Sequence, residues 1–393
     1  MRIGIDASCW WNNRGFGRFT RELLSEMFRR PRGHEFVVFT DEADSAVFDG
    51  FGVETVLIGA DRKVIEAATA NDRRSLGDVW SFARSARKQN LDIMFYPAVY
   101  SWFPPPRGVP CVVTFHDAIA EHFPELVFPH RRERLFWNAK TWLAKKSADK
   151  VLTVSEAAKR EIITYLKVPE QRIDVICEGA DDVFQRTESP KRRLEMREKF
   201  DLSADARLLV YVGGFAPHKN LNRLLDAFSQ LTEAEIGRPM QLVMVGEPRG
   251  GGFHSVYEEI QHKIQTIDGL SDKVRFTGYI SDEELAVLYS DALALALPSL
   301  SEGFGLPALE AMSCGTPVLA ARDGAVMEVA GSAGLDFDPL DVGDIRRAIS
   351  ALATNPELES TLRAQTGPET QRNTWPQAAD LTLDALETCR KGG

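Results

Sequence analysis

Short apolar runs of strand length alternate along the chain with stretches whose apolar positions recur at helical spacing. In the first half the runs are RIGID (2–6), EFVVFT (35–40), LDIMFYP (91–97), CVVTFH (111–116), KVLTVS (150–155) and IDVIC (173–177). Helical patterns lie between several of them, such as Arg18 to Phe28 and Ser155 to Leu166. In the second half the runs are RLLVYVGG (207–214), QLVMVGE (241–247), VRFTGY (274–279), ALALALP (292–298), TPVLAA (316–321) and LDFD (335–338). Continuous β-branched runs separated by helices predict parallel strands buried on both faces. The class expected is therefore α/β, with two doubly wound parallel sheets. The polar stretch CEGADDVFQRTESPKRR separates two complete βα series. It places a first domain at 1–180 and a second at 181–374, with a C-terminal helical segment at 375–393.

Length supports two domains, because 393 residues is long for one hydrophobic core. No apolar run approaches the ~18 residues needed to cross a bilayer. The N-terminus enters a strand pattern at once, so no signal peptide is expected, and the cysteine pattern fits a cytoplasmic location. Five cysteines, odd in number and without metal-type spacing, fit a reducing compartment without structural disulfides. A net charge of −10 argues against nucleic acid as a general partner. That charge is uneven: residues 1–179 are close to neutral, and the remainder carries the acidic excess.

In open parallel sheets, ligands bind beyond the carboxyl ends of the strands, so chemistry is sought in the loops that follow them. The stretch SEGFGLPALEAMSCGTPVL (301–319) follows ALALALP. Gly303 and Gly305 let the backbone turn sharply, Pro307 suits a first helical turn, and Gly315 can end that helix. The amides of Phe304, Gly305 and Leu306 then point from a helix N-terminus, which is an anion site. Glu310, inside the helix, can accept two hydrogen bonds from a ribose diol, and Glu302 faces whatever lies beyond the phosphate. The plain alternative is a solvated glutamate and a second one stabilised by the helix dipole.

VGGFAPHKN (212–220) follows RLLVYV, and its Gly213 and Gly214 free the backbone. Lys219 is expected to open a helix, where it either meets a phosphate or is an exposed lysine. NNRGFGRFTREL (12–23) carries Gly15 and Gly17 in a flexible loop before a helix. It lacks the third glycine of a dinucleotide fingerprint, which disfavours a nicotinamide enzyme. His116 in TFHD ends a strand, where it can bond a sugar hydroxyl, handle a proton or serve structure alone. RRERLFWNAKTWLAKK (131–146) is a basic helix with aromatics. It fits either an anionic membrane surface or an ordinary amphipathic helix with a solvated basic face, Arg134 and Lys140 balancing nearby acids.

Taken together, these segments resemble the retaining glycosyltransferases of family 4, which have the GT-B fold. EGFGLPALEAMSCGTPV looks like that family's E-x7-E region, GGFAPHKN its phosphate-binding lysine loop and RGFGRFTREL its N-terminal glycine loop. VTFHDA, LTVSEAAKREI and VRFTGYISDEELAVLYSDA are similar to its other signatures. The resemblance covers nearly the whole chain. It implies two Rossmann-like domains facing a cleft, the first holding an acceptor, the second a nucleotide sugar, and the C-terminal helix crossing back to the first.

By residue, the resemblance implies Glu310 on the ribose, Glu302 on the donor sugar, and Lys219 with the amides of Phe304 to Leu306 and Gly214 at the diphosphate. His116 would lie near the transferred sugar, and Gly15 and Gly17 would bring amides to the diphosphate. Glu302, His116 and Lys219 would be the catalytic set, with no metal and no separate cofactor. Where many members carry an arginine before the lysine, this chain has Gly214 or Phe215. Backbone amides, Arg249 and Arg18 are then the candidates for a second positive charge. The likeness points to mannosyl- or rhamnosyl-transferring members that build bacterial polysaccharides. GDP-mannose is the donor it favours, with UDP-sugars open, and the acceptor is a glycan or a lipid-linked saccharide at the inner face of the membrane. A nucleotide-sugar 2-epimerase of the same fold and a non-catalytic nucleotide-sugar-binding protein are the rival readings.

Overall fold

The structure is a computed structural model that describes residues 1–12, 15–41, 45–58, 76–128, 130–247 and 255–392. Two compact units divide the chain: Met1–Glu178 with Thr374–Gly393, and Gly179–Asn373.

The first unit is built on a seven-stranded sheet in the order β3-β2-β1-β4-β5-β6-β7. The strands are β1 (Arg2–Asp6), β2 (Glu35–Thr40), β3 (Glu54–Leu57), β4 (Ile93–Tyr96), β5 (Cys111–Thr114), β6 (Lys150–Thr153) and β7 (Ile173–Val175). Every pairing is parallel, with Ile3 opposite Phe36 on one side and Ile93 on the other. β4 and β5 are buried along their whole length, as expected of strands covered by helices on both faces. Strand β3 has no counterpart among the apolar runs read from the sequence. It is the edge strand beside β2, ETVL, exposed at both ends and half-buried between, so its pattern is too polar to stand out.

Helix Gly15–Arg29 follows β1 and starts earlier than its apolar periodicity suggests. Gly15 and Gly17 are its first-turn residues and do not form a flexible loop. A Cβ on Gly17 would lie 1.9 Å from the Asn12 carbonyl oxygen, whereas one on Gly15 would meet nothing within 4 Å. The Asn12 and Trp10 carbonyls are also held by Arg21 Nη1, at 2.8 and 2.7 Å. The C-terminal helix Trp375–Gly392 packs on helix Gly15–Arg29. Arg32 reaches Asp380 and Asp384 at 2.6 Å each, His34 Nε2 meets Glu387 at 3.0 Å, and Arg390 meets Asp92 at 3.1 Å. Beneath these pairs, most of them exposed, Ala378, Ala379, Leu383 and Leu386 are buried. Apolar burial supplies most of the adhesion, since exposed ion pairs contribute little.

The second unit carries a six-stranded parallel sheet in the order β10-β9-β8-β11-β12-β13. Its strands are β8 (Arg207–Val212), β9 (Met240–Val245), β10 (Val274–Gly278), β11 (Ala294–Leu297), β12 (Val318–Ala321) and β13 (Gly334–Phe337). β8 lies between β9 and β11, with Leu209 facing Leu242 and Ala294. The order of chain travel reverses between β8 and β11, and that reversal leaves a crevice outside their carboxyl ends. Side-chain oxygens cap the helices that follow several loops, among them Ser281 on Glu284 N and Asp341 on Gly343 N and Asp344 N. All five cysteines are free.

The Gly17 contact sets a stability test. Gly17→Ala is expected to destabilise the protein by about 1–3 kcal/mol, the usual cost of overpacking. Gly15→Ala, with open space around the new methyl, should be neutral or stabilising by roughly 0.5–1 kcal/mol. Denaturant or thermal unfolding of the two variants checks this, and equal effects would refute the steric account.

Candidate active site

The loops after β8 and β11 meet at the reversal point of the second sheet. Leu300 N donates to the His218 carbonyl at 2.8 Å. Asn220 Nδ2 donates to the Pro298 carbonyl at 3.0 Å and to the Pro339 carbonyl, after β13, at 2.7 Å. Its Oδ1 accepts from Arg223 Nη1 at 2.8 Å, which fixes the amide's orientation. Asn220 adopts a left-handed conformation with φ of 58°, which asparagine tolerates better than most residues. It thereby ends a short 3-10 turn, Pro217–Lys219, and starts helix Leu221–Ser229. Lys219 closes that turn and does not open the helix as its position in the sequence suggests.

Lys219 Nζ lies 2.6 Å from Glu302 Oε1, and Ser299 Oγ donates to the same oxygen at 2.6 Å. Neither group bonds Oε2. Burial pushes the Glu302 carboxyl up, but the Lys219 charge and the Lys219 and Ser299 hydrogen bonds bring it below the ordinary glutamate value. The pair is thus an ionised carboxylate and an ammonium, most of each side chain removed from water.

Glu310 is also buried, at 4% exposure, on helix Leu306–Ser313, which excludes a solvated glutamate at this position. Gly305 precedes that helix with φ of 102°, and a Cβ there would crowd Val326 Cγ2 at 3.0 Å, so only glycine makes the turn without strain. Pro307 lies in the first turn, and the N-cap residue, Gly305, has no side chain with which to cap the helix. The Phe304 and Leu306 side chains are buried, which anchors the turn. The residues that close the helix are Cys314, whose amide bonds the Glu310 and Ala311 carbonyls, and Gly315 at φ of 79°. At the β8 loop, the Gly214 carbonyl accepts from the Tyr211 hydroxyl at 2.6 Å.

His116 belongs to the first unit, just beyond β5. Its Nε2 sits 3.0 Å from the Pro97 carbonyl, an acceptor only, so that nitrogen carries the proton. Its Nδ1 lies 3.7 Å from Glu178 Oε1, and its ring meets Phe19 edge-on at a centroid distance of 4.5 Å. Phe19 in turn meets Trp375 of the C-terminal helix. Burial pushes the Glu178 carboxyl up, and His116 offsets part of that rise. Both ring nitrogens of His116 therefore face protein groups. Gly15, Gly17 and Arg18 lie on helix Gly15–Arg29 of the same unit, while Arg249 lies outside the described residues.

Ser299, His218, Asn220 and Glu178 emerge only from the fold. Glu178 sits in a stretch that reads as a polar linker. His218 adjoins Lys219 and Ser299 lies three residues before Glu302, but neither spacing nor residue type marks them alone.

The arrangement at β8 and β11 offers a cation, an ionised carboxylate, a second buried carboxylate and a helix start with glycine at its N-cap. That set suits an anionic ligand carrying hydroxyl groups. The family model described as "Glycosyl transferases group 1" matches residues 192–367, and that described as "Glycosyltransferase Family 4" matches residues 13–184. Among relatives, the O-antigen chain mannosyltransferase B of Escherichia coli is 30% identical over 291 residues, 73% of this chain and 72% of that protein. The D-inositol 3-phosphate glycosyltransferase of Kribbella flavida is 29% identical over 62% of this chain and 57% of that one. The serotype-specific mannosyltransferase WbdA of Escherichia coli is 28% identical over 61% of this chain but only 29% of its own length. The fold matches sucrose-phosphate synthase from Thermosynechococcus elongatus with a TM-score of 0.76 and 20% identity over the whole of both chains. It matches WaaG, titled a glycosyltransferase involved in lipopolysaccharide biosynthesis, with a TM-score of 0.69 and 17% identity over 98% of this chain and 99% of that one. The fold is GT-B, and the chain belongs to glycosyltransferase family 4.

Proposed function

We propose that this enzyme transfers a hexose from a nucleoside-diphosphate sugar to a glycan or lipid-linked saccharide, with the anomeric configuration retained and no divalent metal required. The observation that carries the reading is the Lys219–Glu302 pair at the β8/β11 reversal, beside the start of helix Leu306–Ser313. Breaking the bond between the anomeric carbon and the phosphate oxygen leaves the electron pair on the diphosphate and positive charge on the sugar. Lys219 and the amides of Phe304, Gly305 and Leu306 stabilise the first, with Gly214 adjoining. Glu302, ionised at rest, stabilises the second. Glu310 holds the ribose hydroxyls. The acceptor hydroxyl then attacks the face that the diphosphate leaves, its oxygen bonds the anomeric carbon, and its proton passes to the departing diphosphate oxygen.

In this reading the second unit binds the donor and the first unit the acceptor. His116, Gly15 and Gly17 are the candidate functional residues of the first unit. The Nε2 bond to the Pro97 carbonyl and the 3.7 Å approach of Nδ1 to Glu178 suit His116 to present a fixed ring rather than to shuttle a proton. GDP-mannose is the favoured donor, supported by relatives named as mannosyltransferases. UDP-glucose is the second candidate, because a structure with the same fold at a TM-score of 0.72 is titled as a complex with it.

Helix Arg131–Ser147 bears on the acceptor. It packs inward through Trp137, Thr141 and Ala144, and Trp137 Nε1 donates to Glu121 at 2.7 Å. Outward it leaves Leu135 69%, Trp142 50% and Leu143 46% exposed. Arg131, Arg132, Arg134 and Lys146 border them, with Lys146 over the Trp142 ring and Arg134 paired to Glu125. A mixed apolar and cationic face fits an anionic bilayer, where a lipid-linked acceptor would reside. Among the described residues no helix is long and apolar enough to cross a membrane.

The donor reading is tested by a melting-temperature panel of GDP-, UDP-, ADP- and dTDP-sugars. One that binds at about a hundredfold its Kd should stabilise the fold by about 2.7 kcal/mol, and no shift with any of them would overturn the reading. Lys219→Ala should lower kcat by about a hundredfold or more, and Glu310→Ala should weaken donor affinity by about tenfold or more. Transfer should persist in EDTA, and the product's anomeric coupling by NMR should match the donor's. A donor converted without acceptor would mark an epimerase instead, and binding without turnover a binding protein. Neutralising Arg131, Arg132 and Lys146 should reduce sedimentation with phosphatidylglycerol vesicles by about tenfold or more, with no change on phosphatidylcholine. Lys145 is left out because its Nζ bonds the Leu166 carbonyl.

A further inference from the structure

The proposed phosphate site has one lysine among its described residues, and that lysine is already bonded to Glu302. The diphosphate of a nucleotide sugar is a dianion, so a second cation is wanted. His218 adjoins Lys219 on the turn Pro217–Lys219. Its side chain is 7% exposed, and its Nδ1 is buried with no hydrogen-bond partner. An imidazole that serves packing alone normally satisfies its buried nitrogen, because leaving it unpaired is costly. Its backbone is fixed to the β11 loop through the bond from Leu300 N, so the ring does not escape into solvent by a shift of the chain.

The charges that act on the ring are those of Lys219 and Glu302. Burial, and then the Lys219 charge, press the imidazole down to about 4, with Glu302 opposing them. In the free protein it is therefore neutral near pH 7. A dianion beside Lys219 outweighs that lysine's charge at the ring and favours the protonated imidazole.

We propose that His218 is the second cation of the phosphate site, neutral in the free protein and protonated when the diphosphate of a nucleotide sugar binds beside Lys219. The proton comes from solvent, and no covalent bond of the ligand changes. This rests on the donor-site reading above. The sign of the linkage follows directly. The imidazole binds its proton more tightly in the complex than in the free protein, so protonation and ligand binding assist one another. Affinity is greatest at low pH and falls as pH rises from the free value towards the bound one.

Isothermal titration of the intact protein with GDP-mannose and with UDP-glucose tests this, run at pH 7 in buffers of differing ionisation enthalpy. Neither diphosphate diester titrates near neutrality, so any proton taken up goes to the protein. The wild type should take up a large fraction of one proton per ligand bound. In His218→Gln that uptake should vanish, affinity should fall by about fivefold or more, and its pH dependence should flatten. Uptake that persists undiminished in a folded His218→Gln protein overturns the proposal and assigns the proton to another group. Binding by the wild type with no proton uptake and constant affinity from about pH 6 to about pH 8 also overturns it, without reliance on the variant. No binding of either sugar sinks the donor-site reading, and this inference with it.

Discussion

A carboxylate taken out of water must be answered by a cation, and that requirement organises the candidate site of the second unit. Glu302 is stable as an anion only because Lys219 and Ser299 reach the same oxygen. Removing either charge would leave the other buried and uncompensated, which costs far more than the pair contributes when intact. The contact in turn requires the loops after β8 and β11 to be held together. Asn220 does this by crossing to the Pro298 and Pro339 carbonyls, and the His218 carbonyl does it through Leu300 N. The strand order makes the meeting possible, since β8 and β11 are neighbours although more than eighty residues separate them.

In the proposed reaction the same pair would set the balance between binding and catalysis. Lys219 is bonded to Glu302 in the free protein, so an incoming diphosphate would compete for the ammonium with a carboxylate already in place, and donor binding in the ground state would be weakened. As the sugar–phosphate bond breaks, charge would grow on the phosphate side, and Lys219 would gain more there than from the resting ligand. Interactions that strengthen along the reaction in this way raise the rate instead of merely tightening binding. Glu302, loosened from the lysine, would then face the positive charge on the sugar.

In the first unit the histidine is built differently. His116 is clamped by the Pro97 carbonyl and Glu178 and packed against Phe19, which is itself packed against Trp375. The C-terminal helix is thus part of what holds that ring. Buried Glu178 is tolerated because its carboxyl is pushed up and faces the imidazole, so little unanswered charge is enclosed.

How much of this was legible before folding depended on whether the determining forces are local. Twelve of the strands stood out as apolar runs because burial on both faces removes polar alternation, and β3 escaped because it is an edge strand with half-polar faces. The turn at Gly305, the helix behind it and the candidate roles of Lys219, Glu302 and Glu310 were readable from residue type and spacing, helped by a family resemblance. Gly15 and Gly17 were read as a loop because glycine is a poor helix former, and the tertiary contact between Gly17 and the Asn12 carbonyl overrode that propensity. The apolar pattern and turn chemistry by themselves determined two parallel α/β sheets and the loops in which to look. Only the tertiary structure decided that Lys219 is paired with Glu302, that Glu310 is buried, and that His218 keeps a ring nitrogen unsatisfied. Those facts depend on desolvation and on contacts between loops distant in the chain, and neither is encoded in local spacing.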